Sequence, residues 1–456
     1  MTAREGSGIL VDMSRPPEIP LPMPAQTFLW IRHPTLVMKT CKQRYGSTFT
    51  LRLPGLSVTL FSDPPDIRTI FAAKPDDMHA GKVNVILRAL VGESSVLLLD
   101  GAEHMQRRKL LLPSFHGDRM RFYGETIADA TRDVAAHFSR TDAFALHPHT
   151  QEITLQVILR AVFGAEDATE RDTLRRQLLR TLRRANSSFA FLPLLYLSTR
   201  PEADEQRPWK WMLRELRRTD EMLYQTIARR RQTASQTDQD ILSTLLRARD
   251  ENGAGLSDRE VRDELFTALV AGHETTATAL AWTFERILNH RNVYARMCEE
   301  VRALGSSPAP AQLAGLPYMD AVIKEVLRLR PVIPLVGRAL QKPHTIGGYS
   351  LPAGTRVGAC IYLAHRNPEV YPDPETFNPE RFLNMTPDPA SWLPFGGGIR
   401  RCIGASFALY EMKIVLGTLL SMYDFELAQK GSAKVVRRAI TFVPDGGTMV
   451  RARMAA

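Results

Sequence analysis

Residues 45–61, YGSTFTLRLPGLSVTLF, alternate polar and apolar side chains on either side of a Pro-Gly pair. That is the period and the turn chemistry of a β-hairpin. From about residue 62 to 300 the apolar positions recur at helical spacing instead, broken by loops such as TRPEADEQRP at 199–208. Strand character returns in TRVGACIY (355–362), and a proline-rich irregular stretch covers 367–394. IGASFALYEMKIVLGTLLSMY (403–423) then reads as an amphipathic helix. There is no internal repeat, low-complexity tract or interdomain linker. The pattern predicts a mainly α protein with a minor β region, one large domain over 1–456. Prolines near the start predict an extended arm over residues 1–30.

Three segments break their own pattern. LSDREVRDELFTALVAGHETTATALAWTFERILNH opens with Ser257 and Glu260 at capping-box spacing and runs without proline to about 289. Such a helix is roughly 48 Å long, enough to cross a domain. Its apolar centre is interrupted by Gly272, His273, Glu274 and two threonines, costly residues for a core helix. Thr275 is placed to bond back to the carbonyl of Ala271 and open a local bulge. In YMDAVIKEVLRLRP, a helix ended by Pro331, Glu325 and Arg328 share a face. Alone, that would be an ordinary surface pair. NPERF adds Arg381, a candidate third member of a buried charge cluster.

The third segment is FGGGIRRCIG, residues 395–404, which places Cys402 between arginines and glycines just before a helix. A helix N-terminus favours a thiolate. The sulfur is then a nucleophile or a metal ligand. A nucleophile needs a base; His365 or His104 could be recruited in space, but no signature supports either. No second cysteine is near, so zinc and iron–sulfur clusters fit poorly. A haem iron needs one axial sulfur, and Arg400 is two residues away for a propionate.

Composition narrows the classes. With 44% hydrophobic and 24% charged residues over 456 positions, the chain is of ordinary globular make-up. Cys41, Cys298, Cys360 and Cys402 are scattered without a CxxC pair, which argues against disulfides and fits a reducing cytoplasm; the first three read as structural. The first residues hold no signal peptide or membrane span. The net charge of +10 is spread over amphipathic stretches such as RRQLLRTLRR (175–184), without the aromatic interleaving of a nucleic-acid binder.

Together these segments resemble the cytochrome P450 family. Its haem-binding pattern F-x-x-G-x-R-x-C-x-G is met by Phe395, Gly398, Arg400, Cys402 and Gly404. A chance match in a chain this long is on the order of one in ten thousand. The E-x-x-R helix is met by Glu325 and Arg328, with Arg381 as their usual partner. Ala271, Gly272, Glu274 and Thr275 meet the central-helix pattern. EHMQRRK places His104 and Arg108, and VGRAL places Arg338, where the family binds haem propionates. The resemblance implies haem b (iron protoporphyrin IX), with Cys402 as the iron ligand.

It further implies a monooxygenase that hydroxylates, or epoxidises, a hydrophobic substrate using dioxygen. Thr275 would relay a proton through water, and Glu274 would feed that relay from solvent. Electrons would come from a ferredoxin and its reductase, because the stretch after Cys402 is too short for a fused flavin reductase. Arg401 and Lys413 are the candidate docking cations for an acidic ferredoxin, and the protein is expected to be a monomer without an integral membrane segment. Thr267, Val270, Ala271, Ile333 and Leu335 are the expected substrate contacts, Val83–Val96 the lid, and FAFLPLLYL (189–197) an access-channel wall. Their aliphatic character points to a fatty acid, terpenoid or polyketide. His273 departs from the apolar residue often found at its position. The rivals are a non-catalytic haem-thiolate sensor, against which the acid–threonine pair argues, and a peroxide-driven peroxygenase, whose members tend to lack that pair.

Overall fold

A computed structural model describes residues 15–115, 119–139, 141–164, 168–185, 210–233, 240–251, 253–429 and 431–455. The elements that build the site are seven helices: α1 (Gly101–Leu111), α2 (Arg119–Ala135), α3 (Leu146–Phe163), α4 (Lys210–Thr233), α5 (Asp258–Asn289), α6 (Pro317–Leu329) and α7 (Ala405–Met422). A five-stranded sheet lies beside them: β1 (Thr48–Leu53), β2 (Leu56–Phe61), β3 (Met78–His79), β4 (Val336–Leu340) and β5 (Arg356–Ala359), in the order β1-β2-β5-β4-β3. Only β2 and β5 run parallel; the other pairs are antiparallel. Smaller antiparallel pairings join Val435–Arg438 to Thr441–Pro444, His344–Ile346 to Tyr349–Leu351, and Met449–Met454 to both Phe144–Ala145 and Tyr423–Leu427. The protein is mainly helical with a minor β region.

The hairpin forms where the period-two pattern puts it, Thr48 pairing with Phe61 and Leu53 with Leu56 across Pro54-Gly55. The strand expected in 355–362 is β5, and the helix expected over 403–423 is α7. α7 is long and apolar enough to cross a membrane, but 61% of it is buried inside the fold, as in a core helix. The extended arm expected over residues 1–30 does not hold from Met23 onward. Residues Met23–Arg32 are helical, started by Pro24 in the first turn, where a proline costs no hydrogen bond. The proposed channel wall at 189–197 lies outside the described residues.

The largest apolar cluster joins α2, α3, α5, α6 and α7, with Phe163, Phe266, Trp282, Phe284 and Leu416 at its centre. A second cluster ties the N-terminal helices to the hairpin through Trp30, Met38, Phe49, Leu51 and Leu60. Helix α5 crosses the larger cluster. Ser257 accepts from the Glu260 N–H while the Glu260 carboxylate accepts from the Ser257 N–H, the reciprocal cap that the spacing predicts.

Candidate active site

Helix α5 is buried on almost every side. Between Val261 and Leu288 only Ala268, Val270, Ala271, Gly272 and Thr275 escape burial. Four of them recur at i, i+3, i+4 and i+7, one narrow stripe of a helix. An accessible alanine halfway along a core-crossing helix marks the wall of an internal opening. Thr275 Oγ1 donates to the Ala271 carbonyl at 2.6 Å, as its spacing predicts. The expected break does not follow: α5 is continuous through Gly272–Thr275. Glu274 is not on the stripe. It is buried and its Oε2 accepts from Gln151 Nε2 of α3 at 2.6 Å, so the expected feed from open solvent is absent in this conformation.

Cys402 sits in the strap between Phe395 and α7, with its N–H donating to the Phe395 carbonyl at 2.9 Å. Phe395 in turn packs edge-on against Trp392. The thiol is accessible. Yet enough protein surrounds it that burial pushes its pKa up, against the Gly404 N–H, Arg108 and Arg401, which pull it down. The helix-terminus effect expected to favour a thiolate is therefore outweighed by desolvation. An accessible sulfur in a desolvating environment faces a pocket rather than bulk water. The glycines of the strap serve its packing on the helix Pro64–Ala72. A Cβ on Gly397 would lie 2.2 Å from the Phe71 ring, and one on Gly398, at φ +63°, would lie 2.1 Å from the Phe71 carbonyl oxygen.

Beside the strap, cations gather. His104 and Arg108 come from α1, Arg338 from β4 and Arg400 from the strap itself. Burial, then Arg400, Arg108 and Arg338, drive the His104 pKa down to about 3, so its ring is neutral. His104 Nδ1 is buried without a hydrogen-bond partner. Arg338 is 6% exposed; it donates to the Gly337 carbonyl and stacks over Phe71. Burial and Arg400 lower its pKa to about 10, with Asp100 opposing. Arg400 bonds the carbonyls of Val96 and Leu99 and the Asp100 carboxylate. Asp100 is the only carboxylate among these interactions, which leaves a surplus of two positive charges.

The buried pair on α6 is closed by comparison. Glu325 and Arg328 are both fully buried, and the guanidinium grips the carboxylate through Nε at 2.6 Å and a terminal nitrogen at 2.8 Å. The carbonyls of His365, Pro374 and Thr376 accept its other N–H groups. Arg381 lies 3.6 Å from Glu325, completing the expected triad. His365 is no base for Cys402. Its Nδ1 is 2.9 Å from the Arg328 carbonyl and its Nε2 accepts from the Leu393 N–H at 2.7 Å, coupling α6 to the strap.

A family profile, Cytochrome P450, matches residues 15–447. The chain belongs to the cytochrome P450 family. It is 40% identical over 445 residues to cytochrome P450 135B1 of Mycobacterium tuberculosis, covering 97% of this chain and 92% of that one. Cytochrome P450 135A1 of the same organism is 35% identical over 441 residues, covering 96% and 94%. Among solved structures, the retinoic acid-bound cyanobacterial CYP120A1 superposes with a TM-score of 0.83 at 26% identity, over 96% of this chain and 99% of the other. The protein is thus a cytochrome P450 monooxygenase with a haem-thiolate cofactor.

The residues present fit that P450 cofactor. The accessible Cys402 thiol would ligate the iron, the stripe of small side chains would form one wall, and the two unbalanced positive charges would pair with two propionates. The orphaned Nδ1 of His104 adds a donor or acceptor at the same edge. Of the expected substrate contacts, Ala271 is on the stripe, Val270 is half-buried but lies at least about 100° round the helix from every stripe residue, and Ile333 is half-buried. Thr267 is buried, with its hydroxyl donating to the Asp263 carbonyl and 2.7 Å from Ser95 Oγ. Leu335 packs into the N-terminal apolar cluster. Thr267 and Leu335 are therefore committed elsewhere.

The expected lid is pinned to α5. Asp263 and Glu264 accept from the N–H groups of Ser94 and Val96 at 2.9 and 2.8 Å. Arg262 ties the same region to Asp220 of α4. Of the docking candidates, Arg401 is exposed, whereas Lys413 is ion-paired with Asp320 at 2.6 Å and bonds the Ala314 carbonyl. Sequence reasoning missed Asp100, Gln151 and His147. Asp100 stands at the cap of the helix carrying His104 and Arg108, the one signal that could have found it.

Proposed function

We propose that this P450 inserts one atom of dioxygen into an apolar small molecule of the fatty-acid, terpenoid or polyketide class, with electrons from a separate ferredoxin and its reductase. Hydroxylation is the default outcome and epoxidation the outcome for an alkene. The observation that carries this reading is the stripe Ala268–Ala271–Gly272–Thr275, a wall of small side chains with a single hydroxyl in an otherwise almost sealed helix. The likeness to a P450 bound to retinoic acid, an elongated apolar acid, supports the substrate class.

When bound, the haem would supply an iron that, held by the Cys402 thiolate, favours activation of dioxygen. The chain's own part is to shape the wall and manage protons. Small residues at 268 and 271 leave room for a substrate, and their apolar surface excludes water from one side of the site, whereas Gly272 lets Ile158 of α3 pack close. Thr275 gives its own proton to the Ala271 carbonyl, so its oxygen retains lone pairs that accept a bond from water. A hydroxyl so placed passes on a proton by accepting one and releasing its own. Glu274, next in the chain, is the acid that feeds it.

The test has two arms. Titration of the ferric protein with lauric acid and with retinoic acid should move the Soret band toward the high-spin position for at least one of them. Neither binding at solubility-limited concentration would remove the apolar-acid members of the class. Turnover of whichever binds should be supported by a ferredoxin pair with NADH. Thr275→Ala should then keep binding but divert reducing equivalents to hydrogen peroxide. Equal coupling in mutant and parent would refute the relay.

A further inference from the structure

Glu274 faces helix α3, not the stripe. Besides the 2.6 Å bond from Gln151 Nε2 to its Oε2, His147 Nε2 lies 3.8 Å from Oε1 and 3.2 Å from Thr278 Oγ1. The same seam continues on both sides. His273 Nδ1 is 3.0 Å from Thr154 Oγ1, and the Thr150 hydroxyl donates to the Ala277 carbonyl at 3.0 Å. α3 therefore presents a run of polar side chains, His147, Thr150, Gln151 and Thr154, which His273, Glu274 and Thr278 of α5 meet. This run also gives His273, the odd residue of the central pattern, its place.

Thr275 is one position further along α5, and successive helical residues point about 100° apart. The carboxylate and the Thr275 hydroxyl thus start on different sides of the helix. For its proton to reach the stripe, the Glu274 side chain must leave Gln151. We propose that Gln151 is a positioning residue, which holds Glu274 against α3 and so sets when its proton becomes available to Thr275. The inference rests on the relay reading of Glu274 and Thr275 given above.

The chemistry of this seam suits a release that repeats. A glutamine N–H bonded to a carboxylate favours the ionised form, without the strong attraction that a buried cation would add. His147 is fully buried, and burial, then Arg438 and His273, drive its pKa down to about 3. Burial likewise takes His273 to about 4. Both rings are neutral at pH 7, and the cation whose field helps to keep His147 so is Arg438. Gln151 itself is half-buried, which puts the outer end of the seam within reach of water. The proton that Glu274 delivers is then replaced along the α3–α5 seam.

The experiment compares Gln151→Leu and Gln151→Arg with the parent and with Glu274→Gln, each as holoprotein with its carbon monoxide spectrum checked first. The first readout is the infrared carboxyl band that Glu274→Gln abolishes, followed against pH. Loss of the Gln151 donor in Gln151→Leu should raise the midpoint of that band by about one to two pH units. Gln151→Arg should lower it. The second readout is the solvent isotope effect on NADH-driven oxygen uptake by the substrate-free enzyme with a ferredoxin pair. It should shrink in Gln151→Leu and grow in Gln151→Arg, whose oxygen uptake should fall ~tenfold, the rate equivalent of about one extra charge-assisted bond. If Glu274→Gln alters the isotope effect while both Gln151 variants leave band and isotope effect unmoved, the positioning role is overturned and the relay survives. If Glu274→Gln itself changes nothing, the relay fails and takes the positioning role with it.

Discussion

Replacing Arg338 by methionine should stabilise the haem-free protein and weaken its hold on haem. The guanidinium is 6% exposed, bonds only the Gly337 carbonyl at 2.8 Å and shares its surroundings with Arg400. Burial first, and Arg400 second, lower its pKa from the usual arginine range to about 10. At about 1.4 kcal/mol per pH unit, the fold bears a penalty on the order of 3 kcal/mol for keeping this arginine charged. The sign is that of a base whose pKa falls on folding. The penalty is complete at every pH below about 10 and disappears only as arginine deprotonates in the unfolded chain. Methionine keeps most of the buried stem and removes the charge. Urea unfolding of the apoprotein at pH 7 should therefore show a gain of about 2–3 kcal/mol. In the loaded protein Arg338 would pair with a propionate, and the same change would delete that charge-assisted bond, worth about 1.5–3 kcal/mol. Haem transfer to excess apomyoglobin should accelerate by about tenfold to a hundredfold. An apoprotein no more stable than the parent, with unchanged haem transfer, would refute the claim that the cluster is under electrostatic strain.

Two further outcomes follow from the same geometry. Arg328→Ala leaves Glu325 buried and charged and strips three carbonyls of their donor, so it should cost about 3–5 kcal/mol; denaturant unfolding and the Soret-to-protein absorbance ratio would both report it. Gly398→Ala meets a φ of +63° and a backbone oxygen 2.1 Å from the new Cβ, neither of which a side-chain rotation relieves. It should cost about 1–2 kcal/mol for the dihedral alone and lower haem incorporation, whereas unchanged haem content would show the strap to be more pliant than its contact with Phe71 implies.

The parts of the site that were legible in the sequence are those whose partners lie close in the chain or whose residue types are unusual in their setting. The capping box of α5, the Thr275 back-bond, the Glu325–Arg328 grip and the hairpin register all join residues a few positions apart. Cys402 stood out because a thiol among arginines and glycines has no packing role. The rest is long-range. Ser94 and Val96 reach Asp263 and Glu264 across 169 and 168 positions, and Gln151 reaches Glu274 across 123. No spacing announces such pairs. They also decide what the sequence misjudged: Glu274 is turned to α3 by Gln151, Lys413 is taken up by Asp320, and Thr267 by Ser95.

Two arginines, both deeply buried, show how structure separates architecture from binding without reference to any relative. Arg328 has five N–H donors, and five acceptors meet them: two oxygens of Glu325 and the carbonyls of His365, Pro374 and Thr376. Its charge is cancelled and its geometry fixed by the chain alone, so nothing outside the chain is needed to account for it. Arg338 has the same five donors and one hydrogen bond, to the carbonyl of its own neighbour. A guanidinium buried to that degree with four donors unspent is unstable by itself, and Arg108 and Arg400 add to the imbalance rather than relieve it. Such an arrangement persists in a folded protein only if an anion satisfies it in the functional state. A flat group bearing two carboxylates at one edge, with a metal that takes the accessible thiol, meets every one of those demands at once.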